Sequence, residues 1–160
     1  MKAMIVCVSV SHGNTKRIAD VMGNVLDARV VTPEQVDLEE LSACDLVGFG
    51  SGIFLMAFHP LLREFIQALP EEQRGKAFVF ATSGLPETPL RPYTRPLLQL
   101  LAQKGFEAVD AFSCRALDTW FPFKPIGGIR KQRPNADDLE AARTFAEGLR
   151  ARVHTTSRPA

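Results

Sequence analysis

Cys7-Val8-Ser9-Val10-Ser11-His12-Gly13-Asn14-Thr15 is the stretch on which the reading of this chain turns. An apolar run over 3–10 stops abruptly in small hydroxyl residues, a Gly and an Asn, and helical spacing begins at once. Ile18, Met22, Val25 and Leu26 then share one face of a helix over 15–26, while Lys16, Arg17 and Asp20 lie elsewhere. A strand that turns directly into a helix aims hydroxyls and unpaired backbone N–H groups at the positive end of the helix dipole, where a phosphate binds well. Gly13 supplies the close backbone approach that a side chain would prevent. The pattern is that of a phosphate-anchored cofactor site.

Outward from this turn, apolar runs recur at 28–31, 45–51, 76–82 and 107–115. Most are continuous rather than alternating, as expected of parallel strands covered on both faces. Between them lie helical patterns over 60–69, with Leu61, Leu62, Phe65, Ile66 and Leu69 in register, and over 92–104, with Leu97, Leu98, Leu100 and Leu101. Pro60 suits a first helical turn and Gly105 a C-terminal stop. A last helix opens at Asn135, a side chain able to cap the N–H of Asp137 or Asp138, and buries Leu139, Ala142, Phe145, Ala146 and Leu149. Only a short helical turn is expected over 37–41. Alternating strands and helices predict an open three-layer α/β sandwich. Ligands in such sheets sit at the carboxyl ends of the strands, so segments 9–15, 51–59 and 82–91 are expected to converge on one rim.

Bulk properties narrow the function. One hundred and sixty residues, 46% hydrophobic and 23% charged, fit one ordinary globular domain. A net charge of +1 argues against a large electrostatic footprint for nucleic acid. No apolar run approaches the roughly 20 residues of a membrane span, and the start has no signal-peptide pattern. Three cysteines, Cys7, Cys44 and Cys114, form no CxxC pair and read as reduced thiols of a cytoplasmic protein. The expected organisation is one domain over 1–152 and a flexible C-terminal tail over 153–160.

Several phosphate-binding chemistries are excluded by residues they require. No G-x-G-x-x-G follows the first strand; Gly48-Phe49-Gly50-Ser51-Gly52-Ile53 lacks the final Gly and no helix follows it directly. The P-loop Lys is missing. Phe49 stands where a G-x-S-x-G elbow around Ser51 needs Gly. A receiver domain would need paired acids where Ser9, Ser11 and His12 stand. A Cys-x5-Arg phosphatase loop from Cys7 fails at Gly13.

What remains resembles the flavodoxin family. Ser9-Val10-Ser11-His12-Gly13-Asn14-Thr15 is similar to its phosphate loop, and Gly50-Ser51-Gly52-Ile53-Phe54 and Thr82-Ser83-Gly84 to the two loops that follow later strands. The segment 113–146, with Asp118-Thr119-Trp120, Gly127-Gly128-Ile129 and Arg133-Pro134-Asn135, resembles uncharacterised members of that family. The resemblance implies a flavodoxin-like three-layer sandwich with a five-stranded parallel sheet in the order 2-1-3-4-5. It also implies flavin mononucleotide (FMN), bound non-covalently. By position, Ser9, Ser11, His12, Gly13, Asn14 and Thr15 would hold the phosphate, and Ser51, Gly52, Ile53, Phe54, Thr82, Ser83 and Gly84 would flank the isoalloxazine. Phe54 and Trp120 are the candidate ring neighbours, with Tyr93 further off. Gly52 is the candidate for a peptide that turns its carbonyl toward the reduced flavin N5–H. A protonated His12 would add charge-assisted hydrogen bonding and weaken FMN binding as pH rises.

The function implied is electron transfer by an FMN-binding flavodoxin-type protein, in exchange with a redox partner protein or a small-molecule donor or acceptor. The alternatives are a small FMN-dependent NAD(P)H or quinone reductase or oxidase with its own substrate, and a flavin-free module binding another phosphate ligand. The long segment 116–134, with Lys124, Arg130, Lys131 and Arg133 against Asp118, is either a basic collar for such a substrate or partner or a solvated covering loop.

Overall fold

A computed structural model describes residues 1–9, 13–54, 57–83, 94–115 and 136–157. The elements run β1 (Ala3–Val8), α1 (Asn14–Leu26), β2 (Arg29–Val31), a 3-10 turn (Pro33–Gln35), α2 (Leu38–Ser42), β3 (Leu46–Phe54), β4 (Ala57–Phe58), α3 (Pro60–Ala68), β5 (Lys76–Ser83), α4 (Thr94–Gln103), β6 (Glu107–Arg115) and α5 (Ala136–Ser157). Five strands form a parallel sheet in the order β2-β1-β3-β5-β6. This is the expected 2-1-3-4-5 order, with one extra short strand, β4, paired antiparallel to the end of β3. Chain order reverses direction between β1 and β3, which makes the carboxyl ends of these strands the switch point.

Strand periodicity explains the two cores. Met4, Val6 and Val8 of β1 face one side, with Leu41 of α2, Leu62 and Ile66 of α3 and Leu97 and Leu101 of α4. Ile5 and Cys7 face the other, with Ile18, Ala19, Met22 and Leu26 of α1 and Ala142, Ala146, Leu149 and Val153 of α5. Side-chain volumes are exchanged between neighbouring strands. On the α1–α5 side, Gly48 and Gly50 of β3 are direct partners of Phe78 and Phe80 of β5, and a Cβ on either glycine would fall into the facing ring. On the opposite side, Val47 and Phe49 of β3 sit beside Ala77 and Val79. The glycine-rich stretch Gly48-Phe49-Gly50 is therefore a packing device that lets two phenylalanine rings cover the central strand. Phe145 of α5 extends this aromatic layer, 5.9 Å from Phe78 and 5.3 Å from Phe112 between ring centroids.

Helix ends are fixed largely as their sequences dictate. Asp37 caps α2 by accepting from the N–H groups of Glu39 and Glu40. Pro60 is the first residue of α3, and His59 Nδ1 accepts from Leu61 N–H at 3.0 Å. Gly105 stops the turn after α4 with a φ of +103°, where a side chain would strike the Gln73 carbonyl. Arg150 of α5 donates to the Val25 carbonyl at 3.1 Å, placing a cation at the negative end of α1.

Two boundaries differ from expectation. α5 continues to Ser157 instead of giving way to a flexible tail at 153: Val153 is buried in the α1–α5 core, which holds the polar last turn in register. β3 runs on to Phe54 and returns through β4, so the segment after Ser51 is a hairpin where an open loop was expected. The Asn135 cap lies outside the described residues.

Candidate functional site

The sheet register sets the rim. Val8, Ser51, Ala81 and Ser113 form one row across β1, β3, β5 and β6, and the row above it pairs Gly52 with Thr82 and Thr82 with Cys114. The residues expected to bind a cofactor therefore leave the sheet at one level, above its switch point.

On the first loop, Ser9 follows β1 directly, and its Oγ accepts from the Lys16 N–H at 3.2 Å. One of the orphan N–H groups of the α1 terminus is thereby satisfied by the strand end rather than by a capping residue. Gly13 is the N-cap of α1, in the left-handed conformation at φ +67°, with no side-chain cap bond. α1 carries no acid in its first turn. Among the described residues, the N–H groups of Asn14 and Thr15 have no hydrogen-bond partner. Positive φ, a bare cap and absent carboxylates together make an N-terminus suited to an anion.

Thr15 is 3% exposed and Thr82 4%, and their hydroxyl oxygens are 2.8 Å apart. This bond crosses 67 residues of sequence to tie the start of α1 to the end of β5. Gly52 lies beside both: a Cβ built on it would stand 3.7 Å from Thr82 Oγ1 and 3.9 Å from Thr15 Oγ1. The first, second and third expected segments thus meet around the Thr15, Gly52 and Thr82 trio.

Ser51 has a different place from the one expected. It is fully buried, its Oγ donates to the Gly52 carbonyl at 2.8 Å and accepts from the His59 N–H at 3.0 Å. It staples the base of the β3–β4 hairpin rather than presenting its hydroxyl at the rim. Gly52 is likewise a strand residue, paired with Thr82, with its carbonyl engaged by Ser51. The Gly52 carbonyl is thus held where a freely turning peptide was expected. Ile53 pairs with Phe58 and Phe54 with Ala57. Phe54 and Ser83 are placed by their backbones as the last residues of β3 and β5. Ser11, His12, Gly84, Tyr93, Trp120 and the basic segment 116–134 lie outside the described residues.

The sequence reading missed His59, which closes the hairpin through its N–H and caps α3 through its ring. The signal was present in His59-Pro60, a cap-capable side chain before a proline suited to a first helical turn. Arg63 belongs to the same support, donating through Nε to the Phe58 carbonyl at 3.1 Å.

Cys7 and Cys44 are free thiols. Burial pushes the Cys7 thiol up to about 12, with Asp20 adding to the shift and Lys16 opposing it. Burial raises Cys44 as well, with Lys2 opposing. Neither is a thiolate nucleophile at neutral pH. At the opposite end of the sheet a groove of about 550 Å³ is lined by Lys76, Glu107, Val109, Leu149 and Arg152 among others. Its charges pair among themselves and nearby, Lys76 with Glu107 at 2.6 Å and Arg152 with Asp110 at 2.7 Å. Among the described residues no group of His, Cys, Asp and Glu is placed to hold a metal ion, and no helix is long and apolar enough to cross a membrane.

The fold and rim define a doubly wound α/β domain with an anion-directed helix terminus at the sheet's switch point. The chain belongs to the flavodoxin domain family, whose model matches residues 5–119. It is 34% identical over 149 residues to the uncharacterized protein MJ0298 of Methanocaldococcus jannaschii, covering 93% of this chain and 98% of that one. Its fold is similar to that of a flavodoxin from the domain Archaea, with a TM-score of 0.73 at 18% identity over 96% of this chain and 99% of the other. A rubredoxin:oxygen oxidoreductase from Desulfovibrio gigas gives the same TM-score at 16% identity, over 96% of this chain and 36% of that much longer one.

Proposed function

We infer that this chain is a cytoplasmic FMN-binding redox protein of the flavodoxin type, which mediates electron transfer between a donor and an acceptor. The observation that carries the reading is the 2.8 Å contact of Thr15 with Thr82 beside Gly52, which draws the three family-implied segments to one point of the rim.

The residues present fit a flavin phosphate. The left-handed cap at Gly13, the acid-free first turn of α1 and the N–H groups of Asn14 and Thr15, which have no partner among the described residues, all favour an anion. Ser9 accepts from Lys16 N–H and keeps its own hydroxyl hydrogen to donate. Ser9, Ser11, His12, Gly13, Asn14 and Thr15 would hold the phosphate. Gly52, Ile53, Phe54, Ser83, Gly84 and Trp120 would border the ring, with Thr82 behind that border on Thr15 and Ser51 supporting it from beneath. FMN, when bound, supplies one- and two-electron redox chemistry. The chain's part is to hold the phosphate at α1 and to keep the β3–β4 wall fixed through Ser51 and His59.

The test is to load the purified chain with FMN, reduce it in the absence of oxygen, and mix it with a one-electron acceptor such as a c-type cytochrome. Rapid reoxidation, with no NAD(P)H oxidation by the loaded chain in the presence of a quinone, supports the carrier role. Steady NAD(P)H-dependent quinone reduction would instead make it a reductase with its own substrates.

A further inference from the structure

We propose that Thr82 is a positioning residue that acts on the cofactor phosphate through Thr15, rather than a contact to the flavin ring. This rests on the FMN reading above. The two hydroxyls are 2.8 Å apart and nearly inaccessible to solvent. Together they carry two hydrogens, and their mutual bond uses one. Among the described residues neither hydroxyl has another hydrogen-bond partner. One O–H hydrogen is therefore left to donate elsewhere.

Position decides the direction of the chain. Thr15 is the second residue of α1, at the positive end of the helix, whereas Thr82 is held within β5 between Gly52 and Cys114. An anion at the α1 terminus draws a donor from Thr15. The Thr15 oxygen must then accept from Thr82, giving the sequence Thr82 O–H to Thr15 O–H to phosphate. Each donation strengthens the next, and burial keeps water from competing. Gly52 leaves room for the arrangement, since even an added Cβ would only reach ordinary contact with both hydroxyls. Without the Thr82 hydroxyl, nothing on β5 donates to the Thr15 oxygen, and the direction of the Thr15 hydrogen is no longer fixed. The phosphate then loses an oriented donor, while the ring loses nothing.

Dissociation constants for FMN and for riboflavin, which has no phosphate, separate the two roles. They are read from quenching of flavin fluorescence in the wild-type protein, Thr82→Val and Thr82→Ser, with a thermal melt of each flavin-free protein. Thr82→Val is expected to weaken FMN binding about tenfold, the scale of one hydrogen bond. Riboflavin binding is expected to be unchanged, and Thr82→Ser to bind FMN like the wild type. If Thr82→Val does not fold, Thr82→Ala reads the same loss. Equal weakening for FMN and riboflavin would overturn the relay in favour of a ring contact, and unchanged FMN affinity would overturn it outright. A wild-type protein that binds neither flavin removes the FMN reading itself, whereas one that binds FMN without the split removes only the relay.

Discussion

The Ser51 hydroxyl accepts from the backbone N–H of His59 at 3.0 Å while donating to the carbonyl of Gly52 at 2.8 Å. One buried side chain thus joins both legs of the β3–β4 hairpin and fixes the wall beside the Thr15–Thr82 contact. Ser51→Ala removes both bonds and leaves their partners to be satisfied by water or not at all. The expected cost is about 1–3 kcal/mol, measured by urea unfolding. Hydrogen exchange of the His59 amide should rise more than the global loss of stability explains, and an unaltered His59 amide would show that the staple is not formed.

Gly50 and Gly52 lie two residues apart on one strand but have opposite tolerances. A methyl group on Gly50 enters the Phe80 ring, while on Gly52 it meets only ordinary contacts with Thr15 and Thr82. Gly50→Ala is expected to destabilise by about 1–3 kcal/mol through overpacking, and Gly52→Ala to stay within about 0.5 kcal/mol of the wild type. Chemical denaturation of the two variants side by side checks the contrast; equal losses would contradict the ring-over-glycine packing.

Burial raises the Cys7 thiol from its ordinary value near 9.0 to about 12. Below pH 9 the thiol is protonated in both folded and unfolded chains, so it contributes no pH dependence. Between about 9 and 12 the unfolded chain releases a proton that the folded chain keeps, and stability falls as pH rises. Unfolding midpoints of the wild type should therefore drop more steeply between pH 8 and 10 than those of Cys7→Ala. Parallel slopes would show that Cys7 is not desolvated. Alkylation of native Cys7 at pH 8 should likewise proceed only at the rate of unfolding.

The parallel sheet was legible because its strands are continuous apolar runs bounded by helices of clear period, and Glu107–Arg115 ends where its sequence pattern ends. β4 was not, because two residues carry no periodicity and the sequence before it, Leu55-Met56, has none of the residue types that mark hairpins. The left-handed N-cap at Gly13 was legible from local chemistry, a glycine standing between a strand pattern and a helical one. Ser51 was read as a ligand residue because a serine at a strand end looks the same whether it faces a cofactor or a backbone N–H eight positions on. Thr15 and Thr82 were each singled out, but their bond spans 67 residues and belongs to the tertiary fold. The last turn of α5 looked like a tail because its residues are polar, yet Val153 is held against the α1 layer.

Retention of FMN by the purified chain is the most direct test. The visible spectrum is recorded as purified, then again after FMN is added and the excess removed by gel filtration, with the fluorescence of the retained flavin. One equivalent of FMN, with the absorption of bound flavin and quenched emission, is the expected result. A colourless protein that retains no FMN would contradict the cofactor assignment and leave only a flavodoxin fold with an acid-free α1 terminus.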